Sequence, residues 1–272
     1  MRWSELSSDV GLLSAVNTAD RGQKWDDADR NGTTDDKRNW SNRFADACAA
    51  FLAEQFVGAL PQARRANLSV YPEPGGAHER SIQLGEGSRK RIDVAVVHPL
   101  GGLRIDVSMK GLNFRGQNGN YDHNLTGRTY ELEAELRAVR RLQPACMVFA
   151  LYWLPIQATS DKLNSICSFA RSVAHLRQMV HIRTNSRIRP VEDLDGAAVA
   201  LYAPTQVQVS PTEVIERGVV RCMDVLAEPP RRGRPQLPTT TTVAHQVQRW
   251  VHCYLDSTIG VEPDWAPPEE PL

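Results

Sequence analysis

The stretch that decides the fold is RKRIDVAVVHPLGGLRIDVSMKG, Arg89 to Gly111. RKRIDVAVV and LRIDVSMKG are short runs rich in β-branched and apolar residues. Between them stands HPLGG, whose paired glycines suit a tight reversal, so the two runs read as an antiparallel hairpin. In its second strand Leu103, Ile105, Val107 and Met109 point to one face and Arg104, Asp106, Ser108 and Lys110 to the other, because strand side chains alternate. In the first strand Asp93 shares a face with Ala95 and Val97, so an acid stands among residues that expect burial. A buried carboxylate is costly alone and needs a partner such as a metal or Lys110. If the reversal is centred near Leu100 and Gly101, Asp93 lies opposite Ser108 and diagonal to Lys110. A shift of two residues would set it opposite Asp106.

Upstream of the hairpin, Phe44, Cys48, Phe51, Leu52 and Phe56 recur at helical spacing, which predicts a helix over about residues 41–60 with Ser41 as its N-cap. Residues 1–40, with the polar run DRGQKWDDADRNGTTDDKRNW, read as an N-terminal arm or loop. Two short strands are expected around Leu68 to Tyr71 and Ser81 to Leu84, one of them the first strand of the sheet. Downstream, a polar loop (NFRGQNGNYDHN) leads into a helix from Thr126 to Leu142, marked by Leu132, Leu136 and Val139 and ended by Pro144. ACMVFALYWL is apolar on both faces, as expected of a strand inside a covered sheet. A helix over 160–180, the strand AAVALYA, a strand near Gly218 to Val225 and a helix from Thr239 to Leu255 follow. The division expected is an arm (1–40), a core (41–203) and a C-terminal extension (204–272) whose proline-rich end, EPDWAPPEEPL, reads as disordered.

The order helix, three strands, helix, strand, with an acid on one hairpin strand and a lysine on the next, resembles the PD-(D/E)xK nuclease superfamily, whose core order is αβββαβ. The likeness covers about residues 41–155, and Ile92-Asp93 and Ser108-Met109-Lys110 carry it. It implies an α/β fold with a restriction-endonuclease-like core, a mixed sheet flanked by helices. It also implies Mg²⁺-dependent hydrolysis of DNA phosphodiesters, with Mn²⁺ as a substitute, in a restriction or phage-defence setting. By that resemblance Asp93 is a metal ligand, the Met109 carbonyl a second, and Lys110 positions or activates the attacking water. Such an enzyme is expected to work as a homodimer or as a subunit of a defence complex.

Two departures stand out. No proline precedes Asp93, and Ser108 stands where the superfamily has Asp or Glu. Members with an SxK pattern draw the missing carboxylate from the following helix, which here carries Glu131, Glu133 and Glu135. At about 100° per residue, Glu135 falls within the stripe of Leu132, Leu136, Val139 and Leu142, Glu131 lies at its edge, and Glu133 faces away. Glu131 and Glu135 are therefore both candidate ligands. Asp106 is a third, although four strand residues separate it from Lys110 by roughly 13 Å. Glu54, on the first helix, could also approach the site.

Lys plus Arg and Asp plus Glu each number 32 in 272 residues, which excludes an overall basic excess, so any charge for DNA contact must be local. Basic clusters occur in SRKR (Ser88 to Arg91), RAVRR (Arg137 to Arg141) and from Arg171 to Arg189, and Arg128 shares the inner side of the second helix. PPRRGRPQLP (Pro229 to Pro238) resembles an AT-hook through Arg232, Gly233, Arg234 and Pro235, which implies minor-groove contact by the two arginines. Five scattered cysteines suggest neither a disulfide framework nor a zinc site, and point to a reducing cytoplasm. No window approaches the roughly 20 apolar residues that span a bilayer. Phosphate-loop, dinucleotide, HExxH and GxSxG motifs are absent. His98 is isolated, and His123-Asn124 lies in the polar loop near Lys110. Two rivals to a nuclease are an inactive nuclease fold that binds DNA or scaffolds a complex, and an unrelated α/β interaction module with Asp93 salt-bridged away from any cleft.

Overall fold

The computed structural model describes residues 2–65, 67–73, 80–83, 89–162, 165–180 and 193–258. The elements run α1 (Val10–Ala19), α2 (Trp25–Asn31), α3 (Thr34–Ala59), α4 (Gln62–Arg65), β1 (Ser69–Tyr71), β2 (Arg80–Gln83), β3 (Arg89–Ile92), β4 (Val94–His98), β5 (Gly102–Gly111), α5 (Leu125–Leu142), β6 (Met147–Pro155), α6 (Ser168–Met179), β7 (Gly196–Tyr202), β8 (Val207–Ser210), β9 (Glu213–Ile215), β10 (Val220–Asp224) and α7 (Val243–Thr258). They build a mixed α/β structure around a six-stranded sheet in the order β1-β4-β5-β6-β7-β10. The β4–β5 hairpin is antiparallel, with Val94 opposite Val107 and Ala95 opposite Asp106. β5, β6 and β7 are parallel, and β10 returns antiparallel to β7.

Parallel strands must be covered on both faces, and every residue of β6 is buried. Alternation divides its side chains. Phe149 stacks on Trp250 of α7, and Trp153 meets Phe44 of α3 edge-on, so α3 and α7 cover one face. Ala150 and Tyr152 lie beside Ser108 and Lys110 on the opposite face, beneath α5. The expected polar face of β5 is therefore an interior layer: Asp106, Ser108 and Lys110 are all buried.

RKRIDVAVV is not one strand. The backbone turns at Asp93, so β3 pairs with β2 in a separate two-stranded sheet while β4 enters the main one. The first strand of the main sheet is consequently β1, which pairs with β4.

The expected N-terminal arm is helical and packed. Its charged text conceals Trp3, Leu12, Val16, Trp25 and Trp40, all buried, and α1 lies along α3. Helix α3 starts at Thr34 rather than behind Ser41, because Thr33 and Asp36 form a reciprocal capping box. Sparse, large apolar residues do here what a dense apolar stripe does elsewhere. The C-terminal segment is equally integrated, since β10 extends the main sheet and α7 packs on α3 and β10. The tail from Glu262 to Leu272, residues 181–189 of the third basic cluster, and Ser88 lie outside the described residues. All five cysteines are free. Among the described residues no helix is long and apolar enough to cross a membrane.

Candidate active site

Asp93 occupies the corner where β3 leaves the main sheet. Its Oδ2 accepts the Met109 backbone N–H at 2.6 Å, supplying the partner that a continuing strand would have offered. The turn thus fixes the carboxylate beside the Ser108-Met109-Lys110 segment.

Helix α5 supplies the second acid. Leu132, Leu136 and Val139 are buried, and this anchoring rotates Glu135 toward the sheet. Glu135 Oε2 accepts the Ser108 hydroxyl at 2.5 Å, and Lys110 Nζ donates to Oε1 and Oε2 at 2.9 and 3.0 Å. The Lys110 side chain is 9% exposed and that of Glu135 28%. Glu135 therefore stands against Ser108 in space, held there by the serine hydroxyl and the Lys110 ammonium.

The other candidates take different partners. Glu131 pairs with Arg128 at 2.8 Å and Glu133 with Arg137 at 3.8 Å. Asp106, buried farther down β5, acts on the Arg140 guanidinium, whose pKa burial lowers and the Asp106 charge helps to raise. Glu54 is exposed. Within RAVRR, Arg140 is interior, bonded to Asp195 at 2.6 Å and to the Cys146 carbonyl. The RGRP segment is not a free extended hook. Gly233, at φ +81°, donates its N–H to the Thr159 carbonyl at 2.7 Å, and Trp3 Nε1 donates to the Pro235 carbonyl at 2.9 Å. Arg232 remains exposed and Arg234 half-buried on this fixed loop.

Tyr152 was passed over in the sequence because it sits in an unbroken apolar run. Its register partner is Lys110, and burial pushes its hydroxyl up to about 12, with the Thr129 hydroxyl and the Arg128 charge acting the other way. A proton held so firmly keeps the Tyr152 hydroxyl neutral on the strand beside Lys110. The signal in the sequence was parity: Tyr152 stands on the β6 face that looks toward α5.

Among the described residues no group of three or more His, Cys, Asp and Glu could hold a metal ion. Asp93 and Glu135 provide two carboxylates around the Ser108-Met109 backbone, hard oxygen donors of the number that Mg²⁺ commonly takes from protein. As hard oxygen donors, these two carboxylates are of the chemical kind that Mg²⁺ or Mn²⁺ takes and not the soft set of a structural zinc site. Past Lys110, Gly111 to Arg115 form one wall of a cleft of about 900 Å³ that His123, Asn124 and Arg128 also line.

No family model, curated protein or solved structure matches the chain.

Proposed function

We propose that the chain is a Mg²⁺-dependent DNA endonuclease on a restriction-endonuclease-like core, with Asp93, Glu135 and Lys110 as its catalytic groups. The observation that carries the reading is Glu135, bonded at once to Ser108 and Lys110, where an SxK nuclease would need its second acid. The succession α3, β1, β4, β5, α5, β6 supports the core assignment, with β2 and β3 as an inserted hairpin. Asp93, Glu135 and the Met109 carbonyl would hold the metal, which when bound polarises a phosphoryl oxygen and acidifies a water.

The remaining chemistry belongs to the chain. Lys110 Nζ, nearly excluded from solvent, stabilises charge growing on the phosphoryl oxygens more strongly than an exposed lysine would. Glu135 holds that ammonium until a phosphate competes for it. Hydrolysis forms a bond from water oxygen to phosphorus and breaks one phosphorus–oxygen ester bond. The water's proton leaves and the departing alkoxide is protonated. A restriction or phage-defence role in the cytoplasm, as a homodimer or a complex subunit, is the setting proposed.

The test is plasmid cleavage with Mg²⁺ and with Mn²⁺ by the wild type and by Asp93→Ala, Lys110→Ala and Glu135→Ala. Each variant is expected to lose at least about 100-fold, the scale on which a single electrostatic stabiliser acts. Equal cutting by all four chains would overturn the reading. A second reading, an inactive nuclease fold that binds DNA, is favoured by the engagement of both Glu135 oxygens by Lys110. It requires DNA binding with no metal-dependent cleavage in the wild type.

A further inference from the structure

Lys110 is the penultimate residue of β5, and the chain beyond it is tightly fastened. Trp25 Nε1 donates to the Asn113 carbonyl at 3.0 Å, the Tyr202 hydroxyl to Asn113 Oδ1 at 2.9 Å, and Asn113 Nδ2 to Ser41 Oγ at 3.2 Å. Asp29 accepts the Arg115 backbone N–H at 2.9 Å. These bonds lock the N-terminal helices α2 and α3 to the loop that follows the candidate site, and the 900 Å³ cleft lies between them and the start of α5.

The cleft lining brings together Arg30 of α2, Lys37 and Arg38 of α3, Arg115 of the loop and Arg128 of α5. The carboxylate in that lining, Asp29, is 9% exposed and already engaged by the Arg115 amide and guanidinium. Arg38 meets Asp35 across a fully wet surface pair, a contact too weak to withhold it from a ligand. Arg128 pairs with Glu131 at 2.8 Å, so Asp29, Asp35 and Glu131 stand against the five cations and leave an excess of two positive charges (5 − 3) on one concavity. This is a local positive potential in a chain whose 32 basic residues equal its 32 acids. The concavity is preorganised and ends at Gly111, next to Lys110.

We propose that this cleft seats the phosphate backbone of a DNA strand, with its arginines and Lys37 on successive phosphates and the strand led toward Lys110. Arginine forks suit phosphate oxygens. The proposal deepens the nuclease reading and rests on it for where the strand is led. It gives the N-terminal helices, read from sequence as a featureless arm, the main binding role.

Fluorescence anisotropy without divalent metal tests it, using a labelled DNA of about 20 nucleotides as a single strand and as a duplex. The wild type is expected to bind with an affinity that falls steeply with salt, the slope being about 0.7 per phosphate contact for a single strand and about 0.9 for a duplex. Arg30→Gln combined with Arg38→Gln, both on exposed positions, is expected to weaken binding at least about tenfold at about 0.1 M salt and to reduce the slope by about two. Arg232→Gln, on the RGRP loop, stays within about twofold. An unchanged thermal midpoint shows that the double variant is folded. Wild-type failure to bind either probe, or an unaltered affinity and slope in the folded double variant, overturns the proposal. A wild type that binds through the cleft yet never cuts sinks the nuclease reading and leaves this one standing. A chain that cuts, stops cutting on Asp93→Ala and binds undiminished in the double variant does the reverse.

Discussion

Helix α5 crosses two ion pairs that make opposite use of burial. Toward its C-terminal end Arg140 meets Asp195 at 2.6 Å, with side chains 4% and 1% exposed, and backbone supplies further partners: the carbonyls of Cys146 and Asp193 accept from the two terminal nitrogens of the arginine, and Asp195 accepts the Val148 N–H. Nearer its middle Lys110 meets Glu135, with 28% of the carboxylate side chain open and a serine hydroxyl as the other partner. The first pair is sealed and held by backbone groups, so it ties α5 and the loop before β7 to the start of β6. The second is held by side chains at the edge of a cleft, and its bonds can be exchanged. A buried charge pair marks a structural joint when backbone completes it, and a site when a ligand can.

Breaking the sealed pair should produce the largest effect. Arg140→Ala or Asp195→Ala leaves a buried charge unpartnered, and the expected loss is about 3–5 kcal/mol of unfolding free energy in urea. A loss below about 1 kcal/mol would mean that the pair is not the joint described. Next comes Glu135→Ala, which removes three hydrogen bonds from Ser108 and Lys110 but also takes away the half-buried carboxylate side chain that shields the buried lysine. About 1–3 kcal/mol is expected, together with loss of the proposed cleavage. Replacing both members, Lys110→Met with Glu135→Leu, should restore stability to the wild-type level or slightly above, since well-packed apolar residues often match a buried pair. Stability recovered without activity is the signature of a pair kept for function. Recovery of both would end the claim. Asp93→Asn is smaller still: it exchanges a charge-assisted bond to the Met109 N–H for a neutral one, about 1 kcal/mol, and leaves the β4–β5 register intact.

The sequence made the hairpin, the second helix and the buried strand β6 legible because their signals are local: paired glycines, a leucine stripe and an unbroken apolar run. For a second acid it left three candidates, Glu131, Glu135 and Asp106. Angular position alone could not separate Glu131 from Glu135, whose partners differ in the structure: Glu131 pairs with Arg128, and Glu135 bonds Ser108 and Lys110. The N-terminal helices were illegible for a different reason. Trp3, Trp25 and Trp40 bury large areas while standing alone among charged residues, and periodicity counts positions, not areas. The break at Asp93 was hidden because a carboxylate that replaces a strand partner looks, in sequence, like any acid in a strand.

Asp122 gives the finest test of the comparison, because it combines a sealed carboxylate with a wet partner. Its side chain is 3% exposed and bonds Lys162 at 2.6 Å and Arg171 at 2.7 Å, the latter 49% exposed. Burial alone would raise its pKa, but the hydrogen bond and charge of Lys162 and the charge of Arg171 outweigh it and hold the carboxyl below its ordinary 3.8. A carboxylate with a depressed folded pKa contributes stability that is fully present above the unfolded value and is lost as pH falls through the folded one. The wild type should therefore exceed Asp122→Asn in stability at pH 7, and the gap should shrink as pH is lowered from about 4 toward 2, where the wild-type group takes up its proton. Urea unfolding of both chains across that range measures the gap directly. If the gap holds constant down to pH 2, then Asp122 contributes through shape and hydrogen bonding and not through charge, and it belongs with neither pair of α5.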